Sequence, residues 1–210
     1  VHRAFDIAAH PRVASMSFGL MDFVSAHGGA IPSAGMGSQG QFTHPLVLRA
    51  KLEIASACHA HGKVPSHCVV TEFKNTDAIR VAAQKAAREL GYNRMWSIHP
   101  DQIRAIVQAF SPSTDEVEQA LEILLAAEAA QWAPVRHRDT LHDRASYRYF
   151  WQRLQRAVCF DQVIGKIGRM RGGVADPFQP VDLGQSPDQP RQTPVTVLAR
   201  PMVGVHILAQ

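Results

Sequence analysis

Three positions in this chain carry side chains, in settings, that could do chemistry. Asp22 ends the phrase Ser17-Phe-Gly-Leu-Met-Asp22, which follows a short apolar run from Val13 to Phe18 stopping at Gly19. A run of that kind ending at a tight turn reads as a strand. A carboxylate just past the carboxyl end of a strand in a parallel α/β sheet stands where such folds keep their chemistry. It could bind Mg2+, which takes few carboxylates and completes its shell with water and substrate oxygens. The same Asp also suits a turn or a helix cap, and Gly-x-x-Asp alone does not separate these uses. His99 precedes Pro100, which holds it extended, and a structural role is the default for such a His. Asp143, in Leu141-His-Asp-Arg144, stands before a helical stretch and could cap it.

Other groupings are weaker. His59, His61 and His67 lie near Cys58 and Cys68, but zinc needs four ligands at defined spacing, and His59 and His61 fall on opposite sides of a helix end. His137 and His142 meet the same objection. Arg136, Arg138, Arg144 and Arg148 could face a carboxylate or a CoA phosphate, and a solvated basic face is the default reading. Gly35-x-Gly37-x-x-Gly40 has the spacing of a nucleotide loop without the preceding strand that such a loop requires.

The elements that must position these residues alternate. Residues 2–10 read as the end of a helix closed by Pro11, and 24–45, rich in Gly, Ser, Ala and Pro, as a loop. A helix follows from Leu46 to about His61, with Leu48, Leu52, Ile54 and Ala55 spaced for one face and Gly62 ending it. Val64–Val70 is the next strand, and Asn75-Thr-Asp77 starts a helix over 78–90 that Gly91 closes. Met95–Ile98 is the third strand, and 102–110 a short helix. Ser113 and Glu116 have capping-box spacing and open a long helix to about Ala130. Residues 132–141 are polar and read as irregular. A helix over 143–157 carries Tyr147, Phe150, Trp151 and Leu154 on one side, a stripe that reads as core or subunit-interface packing. Strands alternating with helices of this length imply right-handed crossovers and a parallel sheet. From 165 to 194, Gly, Pro, Gln and Asp dominate, as in a linker or tail. The apolar Val195–Leu208 reads either as an added strand or as a sticky end.

Composition narrows the classes. The chain has 210 residues, 46% of them hydrophobic, enough for one domain with a core. Its net charge of +4, from 22 basic and 18 acidic residues, comes without a basic run, which disfavours nucleic acid as partner. No stretch of about 18 apolar residues suggests a membrane span, and the start lacks the pattern of a signal peptide. Three cysteines without a repeated spacing point to reduced thiols and a cytoplasmic setting.

Three phrases carry a family resemblance: Ser17–Phe23, Met95-Trp-Ser-Ile-His-Pro-Asp-Gln-Ile103 and Ser111-Pro-Ser-Thr-Asp-Glu-Val117. Together they resemble the HpcH/HpaI aldolase and citrate lyase beta-subunit family, over about Ala8 to Ala157. The resemblance implies a (β/α)8 barrel assembled into trimers or hexamers. It also implies Mg2+, an acyl-CoA or 2-oxo acid substrate, and making or breaking of a carbon–carbon bond beside a carbonyl. Asp22 takes the place of a metal ligand in this pattern, although Met21 stands where the family usually has Glu. His99 and Pro100 take substrate-proximal places at the barrel mouth. Asp143 takes the place of a catalytic Asp on a C-terminal arm that reaches an adjacent subunit. There Asp139, Leu141 and Ala145 replace the family's Gly, Met and Pro. The family's early-strand Arg and second metal-binding Glu have no counterpart upstream of Val13. The expected fold is therefore a partial barrel, its last strands and helices, over 1–130, then a helical arm over 131–164 and a tail over 165–210. The expected function is a Mg-dependent carbon–carbon lyase in an incomplete catalytic barrel. The alternative is a truncated, non-catalytic remnant or interaction module.

Overall fold

The computed structural model describes residues 1–72 and 74–159 and the backbone of 205–207. Two compact units divide the chain, one holding Val1–Ser111 with the strand at 205–207, the other beginning at Pro112.

The first unit is a parallel sheet with helices. Its elements are α1 (Ala4–Ala9), β1 (Ser15–Ser17), α2 (Leu20–Ser25), a 3-10 turn (Ser33–Met36), α3 (Gly40–Thr43), α4 (Pro45–Ala60), β2 (Val64–His67), α5 (Thr76–Arg88), β3 (Arg94–Ser97), α6 (Pro100–Phe110) and the late strand β6 (Val205–Ile207). All neighbours pair in parallel in the order β1-β2-β3-β6. The segment from 24 to 45, expected to be loop, contains the end of α2, the 3-10 turn and α3. Gly35 and Gly40 serve close packing, a Cβ on Gly40 lying 1.8 Å from the Ala34 carbonyl oxygen, while Gly28 and Gly29 take positive φ with open space around them. No phosphate role is needed to account for them.

Local signals explain most boundaries. Pro45 occupies the first turn of α4, where its missing N–H costs nothing. At the far end the Lys63 amide donates to Cys58 O and the Gly62 amide to His59 O, with Gly62 at φ 63°, a left-handed cap that suits glycine. Asn75 caps α5 by accepting from the Ala78 amide.

Side chains alternate across each strand, so the paired register sorts the sheet into two faces. Met16, Pro65, His67 and Met95 lie on one, and this face packs on α4. Ser15, Ser17, Val64, Ser66, Arg94 and Trp96 lie on the other. The face of α4 turned to the sheet buries Val47, Ala50, Lys51, Ile54, Ala55, Ala57 and Cys58. Leu52, expected on that face, is exposed, and the charged Lys51 takes an inward place.

The second unit, within its described part, is α7 (Thr114–Ala129), a hairpin of β4 (Val135–His137) and β5 (Thr140–His142), and α8 (Arg144–Cys159). Both halves of the Ser113–Glu116 capping box are present. The aromatic stripe is core: Tyr147, Phe150 and Leu154 pack with Val117, Ala120, Ile123, Leu124 and Ala127. The expected irregular stretch is instead an antiparallel hairpin. Its two turn residues, Arg138 and Asp139, both have positive φ, the geometry of a tight two-residue turn usually written Asn-Gly. Residues 165–194 and most of 195–208, read above as tail and possible strand, lie outside the described residues, apart from the pairing of 205–207 with β3. No helix among the described residues is long and apolar enough to cross a membrane.

Candidate active site at the carboxyl edge of the sheet

All strands of the sheet point the same way, so the residues following β1, β2 and β3 emerge at one edge. At β1 the chain passes through Gly19 directly into α2. The Phe23 amide donates to Gly19 O at 2.9 Å and the Ala26 amide to Asp22 O at 2.9 Å. Asp22 lies in the first turn of this helix and is exposed. The N-cap is Gly19, and no side chain caps the helix. The Asp22 carboxylate instead folds back over Gly19, where an added Cβ would stand 2.9 Å from Asp22 Oδ2. A glycine here is thus a steric condition for the carboxylate's position. This observation fits one oxygen ligand for a hard cation. Among the described residues no cluster of three or more His, Cys, Asp or Glu is arranged to hold a metal, so any such cation takes its other ligands from elsewhere.

At β2 the chain leaves through Cys68 toward Glu72, whose Oε1 accepts the Ser38 amide at 3.2 Å. This pins the glycine-rich segment that follows Asp22, while Glu72 Oε2 is buried without a partner. At β3 the corner Ile98-His99-Pro100 is locked by the fully buried Gln102. Its Oε1 accepts the Ile98 amide at 3.0 Å and its Nε2 donates to Val70 O at 2.8 Å. His99 caps α6, its Nδ1 accepting the Asp101 amide at 3.3 Å, and Pro100 begins the helix. Asp22, His99 and Pro100 therefore share the carboxyl edge of one sheet. Asp143 belongs to the second unit, where its Oδ1 accepts the amides of Ala145 at 3.0 Å and Ser146 at 3.3 Å at the start of α8. Its carboxylate is engaged as a helix cap.

The weaker groupings do not converge. His59 contacts Gly91 O through Nε2 at 2.7 Å, His61 packs edge-on to Phe5, and His67 is buried. His137 contacts Glu122 at 2.8 Å, which lowers the Glu122 pKa. Arg136 pairs with Asp139, and Arg138 with Glu122. Cys58 and Cys68 are free and buried.

One cluster was not visible in the sequence. Lys51 Nζ donates to Gln41 Oε1 at 2.7 Å and meets His67 Nε2 at 2.8 Å, with the Phe42 ring centroid 4.3 Å away. His67 Nδ1 lies 2.9 Å from Cys68 O and its ring stacks on Phe42. With Nδ1 donating to that carbonyl, Nε2 is left to accept from Lys51. The Tyr92 hydroxyl donates to Lys51 O at 3.0 Å. Lys51 and His67 are fully buried. Burial lowers the Lys51 pKa to about 8. Burial, then the neighbouring Lys51 charge, push His67 well below its usual value, so it is neutral. Burial raises the Cys68 thiol. The cluster ties α3, α4 and β2 together beneath the segment that follows Asp22.

No family model matches the chain. An L-malyl-CoA/beta-methylmalyl-CoA lyase of Cereibacter sphaeroides is 33% identical over 135 residues, 59% of this chain and 41% of that protein. The crystal structure of a citrate lyase from Burkholderia xenovorans LB400 is 61% identical, with a TM-score of 0.70, over 77% of this chain and 50% of that one. A Mycobacterium tuberculosis CitE structure, in complex with magnesium, acetoacetate and coenzyme A, superposes with a TM-score of 0.61 at 22% identity, over 74% of this chain and 56% of that one, a likeness of fold. The chain spans about 41% of the length of the curated relative and half of the more similar solved structure.

Proposed function

Because the matched part of the chain belongs to the HpcH/HpaI aldolase and citrate lyase beta-subunit family, we propose that it forms the carboxyl-terminal part of a (β/α)8 barrel. In this reading the barrel belongs to a carbon–carbon lyase acting on an acyl-CoA or 2-oxo acid substrate. The observation that carries the reading is the Gly19–Asp22 turn, an exposed carboxylate held over a glycine at the carboxyl edge of a parallel sheet. Mg2+ held by Asp22 and by substrate oxygens would stabilise the negative charge that develops on a carbonyl oxygen as the bond breaks. The protein's own part is to aim Asp22, to keep the glycine-rich segment in place through Glu72 and Lys51, and to shape the rim with His99 and Pro100. Asp143 is the proton-transfer group of this scheme. It must first leave its capping position on α8, and in a homo-oligomer it would serve a neighbouring copy.

The test is divalent-cation binding by the full chain, with Mn2+ as the paramagnetic probe for Mg2+. Asp22→Asn is expected to weaken Mn2+ binding by about tenfold or more, since it removes a direct anion–cation contact. Gly19→Ala should weaken it less, by moving the carboxylate. Equal binding by the wild type and Asp22→Asn would refute the metal role and favour a non-catalytic remnant or interaction module. Turnover of CoA thioesters is then measured against 2-oxo acids to separate the substrate classes.

A further inference from the structure

Trp96 stands out on the sheet face turned away from α4. Its indole Nε1 donates to Ser17 Oγ at 2.7 Å, joining positions 79 residues apart in sequence. Trp96 is on β3 and Ser17 on β1, with β2 between them. To make this bond the indole must cross β2 on the face that carries Ser66. Ser66 is 1% exposed, and its hydroxyl has no partner, as expected of a small side chain roofed by an aromatic ring. A larger residue at 66 would block the crossing.

The bond ends where it matters for the site. Ser17 is the last residue of β1 and the last in register with β2. Two residues later comes Gly19, the pivot of the Asp22 turn. β1 is three residues long and pairs along one side with β2, and apart from backbone pairing its side-chain tie to that strand is Ser15 Oγ on Val64 O at 2.7 Å. A strand this short has little of its own to resist twisting, so a fixed point at its last residue sets the direction in which the turn leaves.

We propose that Trp96 is a positioning residue that, through its hydrogen bond to Ser17, fixes the end of β1 and so aims the Asp22 carboxylate at a divalent cation that Trp96 itself does not touch. This rests on the reading of Asp22 as a metal ligand. It predicts that the indole N–H, and not the bulk of the ring alone, is needed for cation affinity.

The experiment uses the full chain with 15N labelling and Mn2+ as probe. Trp96→Phe keeps an aromatic ring and removes the N–H. Ser17→Ala removes the acceptor with the indole in place, and Ser17→Thr retains an acceptor. Three quantities are read: Mn2+ affinity from paramagnetic broadening around Asp22, hydrogen exchange at the Phe23 and Ala26 amides, and thermal melting. Loss of one hydrogen bond should weaken Mn2+ binding roughly three- to tenfold in Trp96→Phe and in Ser17→Ala. The double variant should bind no worse than either single one, because both remove the same bond. Exchange at Phe23 and Ala26 should speed up while α5 amides stay unchanged, and Ser17→Thr should behave as wild type. Wild-type Mn2+ affinity in Trp96→Phe and Ser17→Ala, whatever their melting temperatures, would overturn the positioning role and leave Trp96 as a space-filling residue. Equal affinity in the wild type and Asp22→Asn would instead overturn the metal reading, and this role with it. If Trp96→Phe fails to fold, Ser17→Ala decides alone.

Discussion

The two faces of the parallel sheet are built on opposite plans. Toward α4, His67 is buried, stacked on Phe42 and bonded at both ring nitrogens, beside a buried Lys51 with its own acceptors. On the other face, Ser15, Ser17 and Ser66 alternate along β1 and β2, and one Trp bridges the strands while the Ser66 hydroxyl is left unpaired. A buried polar network that is fully bonded rigidifies a core, and on the α4 side it fixes three elements at once. The serine face gives up such stabilisation, and its small side chains leave room for a bridging indole next to the turn that carries Asp22. Stability is concentrated on one face and geometric control of the site on the other.

The largest expected effect tests the first half of that contrast. Lys51→Ala removes the donor to His67 Nε2 and one of the two donors to Gln41 Oε1, the other being the Cys68 thiol at 3.3 Å, and leaves a cavity under Phe42. An unpaired buried acceptor and a core cavity together should cost about 3–5 kcal/mol, a fall in melting temperature of roughly 10 °C or more for a chain of this size. A change of a degree or two would mean that the cluster is incidental to stability. The second effect is pH dependence through His67. Its folded pKa is held well below the ordinary value by burial and by Lys51, so below about pH 6.5 the unfolded chain takes up a proton that the folded chain does not. The His67 contribution is therefore complete above that pH and is lost as pH falls, by up to about 1.4 kcal/mol per unit. Denaturation followed from pH 7 to 5 should show this slope in the wild type and not in His67→Gln. Identical slopes would mean that the ring is protonated in place.

Much of this architecture was legible from local signals. Asn75, the Ser113–Glu116 box, Gly62 and Pro45 marked helix ends because each has a backbone reason to be there, and the alternation of strands with helices carried the parallel sheet. The hairpin at 135–142 was not legible, since Arg138-Asp139 adopts a turn whose usual marker is glycine. The end of α7, expected near Ala130, falls there, although Gln131 and Trp132 take the left-handed conformation just beyond it without a glycine. Lys51 escaped because a lysine on an amphipathic helix is ordinarily solvated, and its buried partners come from α3 on one side of it in sequence and from the end of β2 on the other. For the site, the turn carrying Asp22, the corner at His99 and, through the parallel sheet, their common edge could be read, but the bridge from Trp96 to Ser17 could not. It depends on which strands are neighbours, and no local pattern encodes that.

The smallest effect separates the two faces most cleanly, because it requires opposite signs at adjacent residues of one strand. Ser66 and His67 are both buried in β2, yet only the histidine is bonded. Ser66→Ala removes a hydroxyl that has no partner, and replacing a buried unpaired polar group by an apolar one of similar size is neutral or stabilising, a gain expected to stay below about 1 kcal/mol. Ser66→Val keeps the apolar character but adds volume where the indole crosses, and overpacking of this kind costs about 1–3 kcal/mol. If the space under Trp96 is set by the crossing, the Val variant should also break the indole–Ser17 bond, moving the Trp96 indole N–H resonance toward that of Ser17→Ala. A valine tolerated with an unshifted indole would show that the indole does not lie over Ser66, and that the serines of this face are not there to make room for it.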